Sequence, residues 1–104
     1  MNPWVLLILA GMLEVVWAMG LKMSDGFSRM GWTAITAIAA IASFWLLALA
    51  MKELPAGTAY AVWTGIGAVG VALLGITALG EAATPLRLAG IALIISGIAA
   101  LKLG

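Results

Sequence analysis

Hydrophobic positions do not alternate with polar ones along this chain. They form four long blocks, at about residues 3–21, 31–51, 58–80 and 85–103, separated by short polar breaks. Each block is close to the roughly 20 apolar residues that a helix needs to cross a bilayer. The first contains one acid, Glu14, and is closed by Lys22, while the second and third carry no charge. The fourth has Arg87 near one end and Lys102 near the other, both placed to snorkel toward headgroups. Turn-forming residues fill the first break, Ser24-Asp25-Gly26-Phe27-Ser28-Arg29. Pro55 prevents the second helix from continuing. Thr84 before Pro85 reads as an N-cap with proline at the first helical position. A membrane barrel would require alternation of apolar and polar residues. The predicted fold is therefore an all-α integral membrane protein, a single domain of four transmembrane helices over residues 1–104.

Composition supports lipid as the solvent. Of 104 residues, 65% are hydrophobic and 9% charged, against about 25% charged in soluble domains. A small soluble fold buries only about 60–70% of its chain surface and could not hide this much. The first block lacks the basic residues that precede a signal peptide and carries Glu14 in its middle, so it reads as a retained span. The absence of cysteine and histidine excludes disulfides and Cys/His metal sites, and the few acids lie far apart along the chain. No metal or other cofactor is expected. A net charge of +1 gives no footprint for nucleic acid.

Helices that alternate in direction place the chain start, Lys52 and Lys102 on one side, and Lys22, Arg29 and Arg87 on the other. Orientation follows the excess of Lys and Arg on the cytoplasmic side, and here that excess is one residue. The count leaves two possibilities: insertion both ways round, which permits an antiparallel pair, or one orientation set by a single extra charge.

Glu14 is the candidate functional centre. A charge at mid-span is unfavourable by about 2.5–3.5 kcal/mol on insertion scales, and such residues usually mark a substrate or ion path. The available cations all lie at span ends, so no internal counter-ion neutralises it. Desolvation favours the protonated form of a carboxyl group, and so does a second copy of the same acid nearby. A proton then occupies the group when the site is empty and leaves when a cation arrives, the simplest form of proton-coupled exchange. On the same helical face lie Ala10, Gly11, Trp17, Ala18 and Leu21. The small residues allow close approach of another helix, and Trp17 offers either an indole donor beside the acid or packing alone.

Tyr60 and Trp63 share a face of the third span and suit either packing or a cation's approach. Ser43 lies mid-span, where a hydroxyl commonly bonds back to its own helix. Gly65-Ile66-Gly67-Ala68-Val69-Gly70 matches the G-x-G-x-x-G dinucleotide pattern, but it lies inside an apolar run rather than between a strand and a helix start. Gly65, Gly67 and Gly70 instead suggest a hinge, or a surface for close helix contact. Gly90 and Gly97, two turns apart on the fourth span, form a helix-pairing surface.

With these residues together, the chain resembles the small multidrug resistance family of bacterial proton-coupled exporters over essentially its whole length. The resemblance rests on Leu13-Glu14-Val15-Val16-Trp17-Ala18, on Gly26-Phe27-Ser28-Arg29, on the run 54–70 from Leu54-Pro55-Ala56-Gly57 to Gly70, and on Leu101-Lys102. Within that family it is similar to the guanidinium-exporter subtype, which has tryptophan where this chain has Trp17, Trp-Thr-Gly-Ile-Gly on the third span and a lysine near the end. The start, Met1-Asn2-Pro3, looks more like the multidrug subtype.

The resemblance implies an antiparallel homodimer in the bacterial inner membrane, with two Glu14 side chains binding protons or one guanidinium ion in turn. Ser43 and Trp17 would orient the carboxylates by hydrogen bonds, and Gly11, Tyr60 and Trp63 would line the site. The Gly65–Gly70 segment would bend differently in the two subunits, and Gly90 and Gly97 would hold the dimer together. Competing readings are a broad exporter of quaternary ammonium cations and a membrane assembly subunit that transports nothing. An enzyme has little support, since the chain offers no nucleophile–base pair.

Overall fold

The computed structural model describes all 104 residues as four helices joined by short turns: α1 (Pro3–Met23), α2 (Met30–Met51), α3 (Ala56–Ala78) and α4 (Pro85–Leu103). Their 19 to 23 residues rise about 1.5 Å each, giving rods that match a hydrocarbon core of about 30 Å. All four are apolar enough to cross a membrane.

The helix ends have local causes. Asn2 accepts a hydrogen bond from the Trp4 backbone N–H at 2.8 Å, with Pro3 at the first helical position. Thr84 does the same for the Arg87 N–H at 3.2 Å ahead of Pro85, as its sequence predicts. Helix α1 runs two residues beyond the expected Leu21, which places Lys22 in its last turn, where a cation complements the helix dipole. Helix α3 begins directly after Pro55 and stops at Ala78, where Gly80 turns the chain with φ +70°. Buried Ser24 holds the first turn: its hydroxyl donates to the Leu21 carbonyl at 2.9 Å and accepts from the Phe27 N–H at 3.2 Å.

Helix α1 is the centre of the packing. It lies against α2 and α3, whereas α4 packs against α3. The core is small: Leu6, Leu7 and Ala10 of α1 meet Leu47 and Ala50 of α2 and Ala59, Val62 and Trp63 of α3. Helix α4 buries no residue at all. The Cα envelope measures 41 × 34 × 17 Å, with the shortest dimension less than two helix diameters of about 10–12 Å. Four helices have formed a slab rather than a closed bundle. Large apolar side chains such as Ile38, Ile41, Trp45 and Leu93 stand exposed on it, as lipid-facing residues do.

Candidate functional site

Glu14 lies mid-way along α1 on the face that meets α3. The partner position on α3 is Gly67: a β-carbon there would collide with the Glu14 carboxylate. The acid therefore rests on bare backbone. The same seam repeats above and below it. Gly70 accommodates Val15, and Gly11 of α1 accommodates Ile66 of α3, each leaving no room for a β-carbon. Glycines from both helices thus bring the two backbones close around the acid, at a propensity penalty of about 1 kcal/mol each relative to alanine.

Burial leaves this site polar and unsatisfied. Glu14 is half-buried, and its Oε1 is sealed from solvent without a hydrogen-bond partner; so is Trp17 Nε1, three residues along the same helix. An orphaned buried acceptor beside an orphaned buried donor is unusual, because most buried polar atoms are paired. The two atoms present complementary needs to anything that enters.

The remaining polar contacts brace α1. Ser43 is fully buried on α2, and its hydroxyl donates to the Ala10 carbonyl at 2.7 Å while accepting from Trp63 Nε1 at 3.0 Å. Ala10 precedes Glu14 by one helical turn, so Ser43 and Trp63 fix the turn that carries the acid. This differs from both expectations for Ser43. It bonds neither to its own helix nor to Glu14 within this chain, because its one proton is given to the Ala10 carbonyl and the Trp63 indole occupies an acceptor position. Trp17 likewise forms no hydrogen bond to Glu14 here.

Around these residues runs a series of rings. Tyr60 and Trp63 lie 5.6 Å apart between centroids, Trp63 and Phe44 5.9 Å, and Phe44 and Trp17 6.0 Å, the last two edge-on. The structure thus brings Trp17, Ser43, Tyr60 and Trp63 into one continuous contact chain from three helices. Phe44 is the link that sequence reasoning missed. Helix α2 is apolar all round, so no periodicity marks the face that Phe44 occupies; its one signal is adjacency to the mid-span hydroxyl of Ser43.

The three glycines of the α3 motif divide between two neighbours. Gly67 and Gly70 face α1, whereas Gly65 faces α4, with a β-carbon position 2.9 Å from Ile98 Cδ1. The helix itself is unbroken through them. Gly90 and Gly97 of α4 meet nothing: a β-carbon at either would lie in open space.

Four membrane-spanning helices with an unpaired acid between them define, first, a class: a multi-pass membrane transporter. Residues 2–94 match the family model described as Small Multidrug Resistance protein, and the chain belongs to that family. Among its relatives are a guanidinium exporter of Escherichia coli (strain K12), 63% identical over 96% of this chain and 95% of that protein, and a guanidinium exporter of Yersinia pestis, 61% identical over 96% of each. A guanidinium exporter of Salmonella typhimurium is 58% identical over 96% of this chain and 95% of that protein.

Proposed function

We propose that this protein is a proton-coupled guanidinium exporter of the bacterial inner membrane, working as an antiparallel homodimer. The observation that carries this reading is the sealed, unpartnered Glu14 oxygen resting on Gly67. Three relatives at 58–63% identity bear the name guanidinium exporter, and their similarity spans the helices that form the site.

The chemistry of the site favours this substrate. Guanidinium is planar, weakly hydrated and rich in N–H donors that match a carboxylate in pairs. It also lies comfortably on aromatic faces, which Trp17, Trp63 and Tyr60 supply. A quaternary ammonium ion has no N–H to donate. It would leave the Glu14 acceptor unsatisfied, a penalty of about 1–3 kcal/mol for a buried polar group. A proton satisfies the same oxygen by covalent attachment. Proton and guanidinium therefore compete for one place, and export of one is coupled to entry of the other.

Assembly follows from shape. A slab 17 Å thick encloses no pathway alone. The open surface at Gly90 and Gly97 of α4 offers a face where a second copy packs, and the near-equal count of basic residues on the two sides suits opposed insertion. Gly65, Gly67 and Gly70 would then let α3 bend differently in the two copies, exchanging the contacts with Glu14, Val15 and Ile98 between inward- and outward-open states.

A second reading concerns breadth of substrate. An open apolar cleft of about 480 Å³ lies between α1 and α3, lined by Met12, Val15, Val16, Gly70, Leu73 and Leu74. Its wall includes Val15, the residue next to Glu14 in the sequence, and an apolar cleft of this size would suit an alkyl substituent on a cation, which favours tolerance of substituted guanidines and small alkylammonium ions.

Purified protein in liposomes tests the proposal. An inward proton gradient should drive guanidinium outward, and binding of guanidinium should release protons. Glu14→Gln should abolish both. Absence of guanidinium transport by the unaltered protein would favour the assembly-subunit reading, transport retained in Glu14→Gln would remove Glu14 as the coupling acid, and tetramethylammonium outcompeting guanidinium would favour the broad exporter.

A further inference from the structure

Helix α3 turns a different kind of face outward from its neighbours. The open faces of α1, α2 and α4 carry large aliphatic side chains such as Ile8, Ile41 and Leu93. From Ala56 to Ala72 the exposed residues of α3 are instead Ala56, Gly57, Tyr60, Ala61, Thr64 and Ala68. None is a large aliphatic, and Tyr60 and Thr64 carry hydroxyls. Polar groups within a span belong to a bundle interior or a water-filled cavity rather than to lipid.

Thr64 follows Tyr60 by four residues and precedes Gly67 by three, so the three lie along one side of the helix. Gly67 is the seat of the Glu14 carboxylate. Thr64 therefore stands less than one turn from that seat, about 4.5 Å along the axis, in the direction of Tyr60. Its hydroxyl is also free. Thr33, Thr36, Thr77 and Ser96 each donate to the carbonyl four residues back, at 2.8 to 2.9 Å. Ser43 is engaged on both sides, by Ala10 and Trp63. Thr64 makes no such bond and keeps both its proton and its lone pairs.

Guanidinium creates a demand for such a group. A carboxylate pairs with one side of the ion through two N–H donors. The ion has three such sides, and the two Glu14 carboxylates of a homodimer cover at most two. The donors left over need an acceptor. The indole N–H groups of Trp17 and Trp63 only donate, and Ser43 is committed. We infer that Thr64 is a substrate-binding residue, whose hydroxyl oxygen accepts an N–H from the guanidinium ion held by Glu14. The inference rests on the guanidinium reading of that site and adds a determinant of selectivity to it. A cation without N–H groups gains nothing from this oxygen.

Guanidinium titration of the purified full chain, followed by tryptophan fluorescence, tests the assignment. Thr64→Val keeps the shape of the side chain and removes the hydroxyl. It should weaken guanidinium binding by about tenfold, the effect of one hydrogen bond to a charged group, and Thr64→Ser should restore most of the affinity. Thr64 is exposed, so helicity and thermal unfolding in detergent should match those of the unaltered protein in both variants. Equal affinity in Thr64→Val and the unaltered protein would overturn this inference alone. So would equal losses in Thr64→Val and Thr64→Ser, or a loss that accompanies a lowered unfolding temperature. Unaltered protein with no affinity for guanidinium would defeat the reading of the Glu14 site itself, and this assignment with it.

Discussion

Glycine serves two different purposes on the two sides of α3. Toward α1, Gly67, Gly70 and Gly11 are each pressed against a neighbouring side chain, and the contact is complete within one chain. On α4, Gly90 and Gly97 face open space, and the helix buries nothing. The same residue thus marks a finished interface in one region and an unfinished one in the other. Composition alone does not separate them; only the neighbour does.

Substitutions can break this contrast in order of severity. Gly67→Ala places a methyl group in the Glu14 carboxylate. Guanidinium exchange in liposomes should fall by roughly 100-fold, equivalent to about 2.7 kcal/mol, while the protein still inserts and purifies. Gly97→Leu should leave the individual chain's helicity intact but weaken self-association by at least about tenfold, or about 1.4 kcal/mol, measured by dilution in detergent. A Gly97→Leu protein that stays fully associated would show that α4 is not the dimer surface.

Ser43→Ala should lower unfolding stability by about 1–3 kcal/mol, because it leaves the buried Trp63 indole N–H without its acceptor; Trp63→Phe in the same background should add little further. The smallest effect belongs to Gly31→Ala. Gly31 lies in α2 with nothing near its β-carbon position, so the change should be neutral or stabilising by up to about 1 kcal/mol.

The four helices were legible because lipid imposes a strict demand: every span must be apolar and long enough. Glu14 was legible for the same reason, as the one violation of that demand. What the sequence did not disclose was register between helices. It marked Gly65, Gly67 and Gly70 as special, but it did not say that two face α1 and one faces α4. Nor did it place Ser43 against the Ala10 carbonyl rather than its own helix, since a mid-span hydroxyl satisfies itself equally well either way. Phe44 stayed invisible because a helix surrounded by apolar medium has no polar face to reveal its orientation.

The chain's two ends meet. Lys102 Nζ sits 4.8 Å from the centre of the Trp4 ring, so the first and last helices finish together at one surface. An even number of crossings has an engineering corollary. Two genes joined in tandem through a brief flexible tether must produce head-to-head twins pointing the same way. Fusing a pair that points in opposite directions requires a fifth hydrophobic crossing to carry the tether through the bilayer.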